Sequence, residues 1–169
     1  MAQKFLRLLS GIITELEALV VSAGAGDAGK VVALDGTGKL DNSVMPVGIG
    51  ADTKILPASE ALSAGNLVNV WSDAGTVKAR KADATTAGKE ANGFVLSAVI
   101  QDGNATVYFE GTDNQLAAMT PGVAMYLSTT PGGVTDTPPS GSGNVVQRVG
   151  RSLSATELTF EPGDPITLA

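Results

Sequence analysis

The sequence predicts a mainly β protein, in which an N-terminal α-helix and a short hairpin arm precede a small antiparallel β-barrel or sandwich. The 21 glycines and eight prolines are typical of short strands joined by tight turns. Six of the seven aromatic residues follow residue 70, and such side chains contribute much of the burial energy of a core. Helical periodicity, by contrast, is confined to the first 21 residues.

Residues 1–22 are predicted to form an oligomerisation or anchoring helix. Their main apolar residues are spaced alternately four and three apart, which is the seam of a coiled coil. Because a lone helix of this length is marginal in water, the seam must pack on something. Either it docks on its own domain, or it associates with other copies or another protein. The predicted interface comprises Phe5, Leu9, Ile12, Leu16 and Leu19.

Residues 23–56 are predicted to be a glycine-rich arm with little to pack. Residues 30–34 and 39–41 read as a short hairpin around a turn at residues 35–38, and residues 45–50 as an extended passage. Such a stretch has too few apolar groups for a core of its own. Several copies around a symmetry axis can nevertheless pack on one another.

Residues 57–163 are predicted to form the β-domain, and residues 164–169 a C-terminal tail whose apolar end is expected to lie on a neighbour. Short apolar runs alternate with turn sequences such as Asp73-Ala74-Gly75 and Asp102-Gly103-Asn104. This cadence favours a small antiparallel barrel or sandwich. Strands are predicted at residues 67–71, 76–81, 94–100, 106–109, 124–127, 145–149 and 157–160.

Composition argues against an enzyme. The chain has no cysteine and no histidine, which removes thiol chemistry, the commonest general base and the commonest metal ligand. The net charge of −6 and the lack of a basic stripe argue against nucleic acid; Lys78, Arg80 and Lys81 fit the solvent face of a strand. Glu15 and Glu17 interrupt the N-terminal apolar run, which argues against a signal peptide or membrane span. We therefore predict no catalytic residue, cofactor, metal or membrane partner.

Three local patterns imitate functional sites. Residues 24–30 (GAGDAGK) fit both the P-loop and the dinucleotide pattern, but those motifs need a strand before the loop and a helix after it. Residues 35–41 resemble the start of a calcium loop but lack its closing glutamate, where Pro46 stands instead. Glu110 follows two aromatic residues and so suggests a glycosidase acid, although a glutamate at a strand end explains it better.

Residues 29–46 read GKVVALDGTGKLDNSVMP and resemble a recurring segment of tailed-phage structural proteins, which links an attachment region to a more distal domain. The body is similar to small β-domains of phage capsid decoration (cement) and head-fibre proteins. The residues that carry this second likeness lie at 62–71, 81–84, 93–96, 107–111, 127–133 and 146–160.

The resemblance implies a homotrimer bound to the major capsid protein, without a cofactor. It predicts a virion protein, made in the host bacterial cytoplasm, that decorates or projects from the capsid. The long N-terminal segment favours a head fibre or a tail-associated fibre. The alternative is a tail-fibre or baseplate component that binds a host glycan, although Trp71 and two tyrosines offer few aromatic rings for a sugar site. A hydrolase domain is a third reading, disfavoured by the missing histidine and cysteine.

Overall fold

The structure is a computed structural model that describes residues 4–45 and 51–169, and the chain divides into two compact units at residue 50. We call the described parts the N-terminal unit (residues 4–45) and the C-terminal unit (residues 51–169). The predicted extended passage of residues 45–50 lies, apart from Met45, outside the described residues. Within them the chain is mainly β, as predicted, with two single-turn 3₁₀ helices and no α-helix.

The predicted N-terminal helix is wrong, because the segment forms a β-hairpin. Strands β1 (Lys4–Leu9) and β2 (Ile12–Glu17) pair antiparallel, with Phe5 opposite Leu16. The connecting residues Ser10 and Gly11 have φ of 52° and 83°. Positive φ at both central residues is the signature of a two-residue turn whose twist matches that of the strands. The turn therefore folds the apolar segment back on itself.

The rest of the N-terminal unit is irregular. It contains two 3₁₀ turns, Ala25–Asp27 and Asn42–Val44. The predicted arm hairpin retains only its turn: the Asp35 N–H donates to the Lys39 carbonyl at 2.8 Å, but neither flanking segment is a strand. Instead, one parallel bridge joins Leu19 to Val32.

The C-terminal unit contains two five-stranded antiparallel sheets and one two-stranded sheet. They form no closed barrel, so the barrel of the predicted barrel or sandwich is wrong. The first sheet has the order β3-β7-β6-β4-β5 and the second β10-β9-β12-β13-β8, while β11 pairs with β14. The strands are β3 (Thr53–Pro57), β4 (Leu67–Asp73), β5 (Thr76–Lys81), β6 (Gly93–Phe94), β7 (Asn104–Tyr108), β8 (Gly111–Asp113), β9 (Ala124–Leu127), β10 (Val134–Thr135), β11 (Val145–Val146), β12 (Arg148–Ser152), β13 (Leu158–Phe160) and β14 (Ile166–Thr167). A single bridge, Ala58 to Ala79, links the two edges of the first sheet without closing it.

Two hydrophobic clusters form the core of this unit. One draws on both five-stranded sheets and centres on Phe94, whose ring lies 5.4 Å from that of Tyr108 and 5.5 Å from that of Phe160. The other lies on the first sheet and includes Val68 and Val107. The C-terminal unit therefore buries its own apolar groups. Its tail is held by its own chain, because β14 pairs with β11.

Candidate interaction surface

The hairpin β1–β2 presents apolar side chains on both faces. Successive side chains of a strand point to opposite faces, so the register places Phe5 and Leu16 on one face and Leu6, Leu8 and Ile13 on the other. We call these the Phe5 face and the Leu8 face. Two-stranded hairpins are at best marginally stable alone in water, so this ribbon requires further contacts.

The Leu8 face is the more exposed. Leu6, Leu8 and Ile13 are 72%, 69% and 70% exposed, whereas Leu16 and Ile12 on the other face are 36% and 66% exposed. An ion pair between Lys4 and Glu15 lies at the open end of the Leu8 face. The register places Glu17 on the same face, opposite Lys4, so the face is a strip of three large apolar side chains beside one lysine and two glutamates.

The N-terminal unit as a whole exposes most of its large apolar side chains. Among those the structure describes there, Ala33 is the one buried hydrophobic residue. Of the fifteen large hydrophobic residues that are exposed in the described part of the chain, ten lie in this unit: Leu6, Leu8, Ile12, Ile13, Leu16, Val21, Val31, Val32, Leu34 and Leu40. The much longer C-terminal unit contributes the other five. The N-terminal unit therefore lacks a core comparable to that of its neighbour in the chain.

The five predicted interface residues are partly brought together. Phe5 pairs with Leu16, and Leu9 with Ile12 in backbone register, so these four positions fall on one face of the hairpin. Leu19 lies beyond the hairpin, where its N–H donates to Val31 and its carbonyl accepts from Ala33, both at 2.8 Å. The predicted interface did not include Leu6, Leu8 or Ile13. The Ser10-Gly11 pair between stretches of alternating residues was the sequence signal for a hairpin that would place them on one face.

A shallow cavity of about 250 Å³ lies beside the Phe5 face, lined by the hairpin and by the chain's own residues 28–30. Its hairpin lining comprises Phe5, Arg7, Leu16 and Glu17. This face is therefore partly occupied by the chain itself. The Leu8 face lines none of the larger described cavities.

The P-loop-like segment folds around a carboxylate. Asp27 accepts a hydrogen bond from the Ala23 N–H and pairs with Lys30, both at 2.6 Å. Chiefly through the hydrogen bond from Lys30, these contacts lower the pKa of Asp27. The lysine that would meet a phosphate in a P-loop is thus engaged with a neighbouring carboxylate, and only a three-residue 3₁₀ turn stands near it.

The calcium-like segment is a turn closed by its own aspartate. Oδ1 of Asp35 accepts from the N–H groups of Thr37 and Lys39, at 2.8 and 3.0 Å, and from the Thr37 hydroxyl at 2.7 Å. These bonds, led by that from Lys39, lower the pKa of Asp35. Among the described residues, no group of three or more acidic side chains is placed to hold a metal ion.

The basic residues of β5 are engaged within the C-terminal unit. Lys78 pairs with Asp73 at 2.8 Å, and this bond raises the pKa of Lys78. Arg80 lies over the Trp71 ring at 4.5 Å and donates to the Asn69 side chain at 2.9 Å. The guanidinium therefore covers one face of the indole. Glu110 stands in the bend between β7 and β8 and is exposed.

A scan against models of known protein families and a search of curated proteins found no match to the chain. In the part of the chain that the structure describes, no helix is long and apolar enough to cross a membrane.

Proposed function

We propose that the chain is a structural protein of a tailed-phage virion, in which the N-terminal unit mediates trimerisation and attachment to the capsid and the C-terminal unit is displayed. The observation that carries this proposal is the contrast in burial between the two units. The C-terminal unit buries its own core, whereas ten large apolar side chains of the N-terminal unit are exposed. Exposed apolar surface of this extent marks an interaction site.

The energetic argument favours several copies. Full burial of one Leu, Ile or Val side chain contributes about 1.5–3 kcal/mol. Since the ten side chains are about half exposed, their burial contributes roughly 8–15 kcal/mol per chain. Association costs about 4–15 kcal/mol in lost translational and rotational freedom. A contact that buries these side chains on both of two copies therefore gains roughly 16–30 kcal/mol, which exceeds the cost of association. The number of copies, three, is proposed from the resemblance of the sequence to phage decoration and head-fibre proteins.

Attachment to a capsid follows the same reasoning. A trimer presents each weak contact three times to a lattice of major capsid protein, and linked contacts raise the overall affinity without any new kind of contact. Such a role needs a self-sufficient displayed domain and no catalytic groups. The two-cluster core of the C-terminal unit meets the first requirement.

The same observations support a head protein over a glycan-binding tail fibre. A sugar site usually offers an open aromatic ring for stacking. Trp71 is half-buried, lies beneath Arg80, and donates from its indole N–H to the Ser59 hydroxyl at 3.3 Å. Its ring is therefore already used within the domain.

Two measurements test the proposal. Native mass spectrometry of the purified protein at micromolar concentration should give three times the 17.0 kDa chain mass. Cryo-EM of the virion should place threefold density of this size on the head. A monomer at these concentrations would contradict the role of the N-terminal unit, and density on the tail alone would contradict the assignment to the capsid.

A further inference from the structure

We infer that the C-terminal unit carries a binding subsite for a small neutral ligand with several hydroxyl groups, of the size of one sugar ring. The subsite, which we call the β7 pocket, is a cavity of about 220 Å³ lined by residues 96–99 and by Asn104, Thr106 and Tyr108 of β7. The inference goes beyond the proposed function and does not depend on it, because a displayed domain can hold such a ligand on the head or on the tail.

The β7 pocket is a gap in the first five-stranded sheet. Among the described residues, β6 pairs with β7 at a single position, where Phe94 lies opposite Tyr108. Beyond Phe94 the chain leaves β7, and Val99 exchanges two backbone hydrogen bonds with Leu62, at 2.8 and 2.9 Å. The turn at residues 101–103 then returns the chain to β7. The gap is therefore closed at one end by the Phe94–Tyr108 pair and at the other by this turn.

Backbone donors and acceptors border this gap. In an antiparallel pair, the hydrogen bonds to one neighbour come from every second residue. The Phe109 N–H donates to the Asp52 carbonyl at 2.9 Å, on the β3 side of β7, so the N–H and C=O of Thr106 point away from β3 and towards the gap. Across the gap, residues 96–98 make no backbone hydrogen bond within the described part of the chain. Such backbone groups need a partner, which is either water or a ligand.

The side chains of the β7 pocket add neutral polar groups. Ser97, Thr106 and Tyr108 contribute hydroxyl groups, and Asn104 contributes an amide. None of these four groups bonds to another residue that the structure describes. The Tyr108 ring is held by stacking on Phe94, at 5.4 Å between ring centres, so the position of its hydroxyl is fixed by the fold. The pocket therefore offers both donors and acceptors to a ligand.

The chemistry of the lining identifies the class of ligand. None of the described residues that line the pocket is charged, so an ion would meet no opposite charge there. An apolar ligand would leave the polar groups without hydrogen bonds, which is costly. A ligand hydroxyl group both donates and accepts, so it matches amide, hydroxyl and carbonyl partners alike. The volume is below the roughly 300–1,000 Å³ of sites for drug-sized ligands, which favours a single sugar or polyol unit.

Recognition in this pocket rests on hydrogen bonds and not on stacking against an open aromatic ring. The engagement of Trp71 with Arg80 within the domain therefore does not bear on it.

Saturation-transfer difference NMR of the full-length protein tests this inference. Glucose, galactose, mannose and glycerol serve as neutral probes, and inorganic phosphate serves as the anionic competitor. At least one neutral probe should receive saturation and bind in the millimolar range, because a ligand of this size in a half-open cavity makes few contacts. Inorganic phosphate should not displace it.

Two variants locate the binding in the pocket. Thr106→Val keeps a β-branched side chain, which suits a strand, but removes the hydroxyl and should weaken binding about fivefold, the loss of one hydrogen bond. Ala98→Phe places a ring in the pocket and should weaken binding at least as much. The matched control, Thr112→Val, makes the first change at an exposed position of β8 outside the pocket and should leave binding unchanged. Thermal melting checks that all three variants fold.

The outcomes separate this inference from the proposed function. If no neutral probe receives saturation at tens of millimolar, the pocket holds water only and the inference is overturned. Binding that survives both pocket variants, or that phosphate abolishes, would overturn it as well. Binding of a neutral probe that both pocket variants weaken and Thr112→Val does not supports it. None of these results changes the expected oligomeric state or the expected position on the virion.

Discussion

Asp113 is a buried carboxylate whose charge should reduce the stability of the C-terminal unit at neutral pH. The residue is fully buried on β8. Its Oδ1 accepts from the Gln115 N–H at 3.0 Å, while Oδ2 has no hydrogen-bond partner among the described residues. Burial disfavours the charged form and raises the pKa of Asp113, with the Gln115 bond opposing it. We expect Asp113→Asn to be more stable than the natural protein near pH 8.

The sign of the pH dependence follows from linkage. Because the folded pKa of Asp113 is raised, its favourable contribution is fully present below the unfolded value and is lost as the pH rises through the folded value. An unsatisfied buried acceptor costs about 1–3 kcal/mol, and more when charged. Since the asparagine amide keeps the Oδ1 contact but leaves its NH₂ group unpaired, we expect a net gain of about 1 kcal/mol at pH 8, or about 4 °C in melting temperature.

The assay is thermal and denaturant unfolding of both proteins from pH 4 to pH 8. The stability difference should favour Asp113→Asn at pH 8 and vanish or reverse towards pH 4. The control is Asp83→Asn. The Asp83 carboxylate accepts from the Thr85 N–H and hydroxyl, both at 2.8 Å, so its replacement should not stabilise the protein at pH 8. Parallel pH profiles for Asp113→Asn and the natural protein would refute the reasoning.

Three further predictions follow from the same structure. Gly150→Ala should unfold the C-terminal unit, as measured by circular dichroism, because φ is 150° and a Cβ would overlap the Thr159 carbonyl. The control Gly122→Ala, at a residue with φ of 79° and open space around it, should cost only about 1 kcal/mol of stability. Equal effects of the two substitutions would refute this prediction. Leu16→Asp should weaken assembly, as measured by native mass spectrometry, because it introduces a charge into the apolar hairpin. The melting of the C-terminal unit should stay unchanged. If the C-terminal unit is also destabilised, the chain does not consist of two independent units. Adding ATP and magnesium should not shift the melting temperature of the natural protein or of Lys30→Ala, whereas ligand at a hundred times its dissociation constant would add about 2.7 kcal/mol; a shift abolished by Lys30→Ala would establish a nucleotide site.

The strands of the C-terminal unit were largely predictable, because its turns have recognisable sequences. The predicted strands at residues 76–81 and 124–127 match the structure, and Asp73-Ala74-Gly75 is a tight turn with φ of 48° and 88° at its last two residues. The prediction of one strand over residues 94–100 was wrong beyond Phe94. Sheet order was beyond reach from sequence, because pairings such as β6 with β7 join segments separated by a loop of irregular backbone.

The N-terminal helix was mispredicted because its apolar spacing fits two structures. Residues 5, 9, 12 and 16 form a helical seam, and the same positions share one face of a hairpin that turns at residues 10 and 11, because the spacing is symmetric about that turn. Gly11 decides between them, since glycine adopts a positive φ without steric cost and weakens a helix interior. Leu6, Leu8 and Ile13 fit the alternation of strands better than they fit the seam.

The charge asymmetry of the hairpin bears on the symmetry of the assembly. In a twofold dimer formed through strand edges, each strand lies beside the same strand of the other copy. If β1 pairs with β1, Lys4 and Arg7 lie near their copies. If β2 pairs with β2, Glu15 and Glu17 lie near theirs. Both arrangements bring like charges together, which destabilises strand pairing. A contact between β1 of one copy and β2 of the next brings opposite charges together. Such a head-to-tail contact closes into a ring when the rotation permits, so the hairpin's own charges favour a cyclic assembly over a twofold dimer.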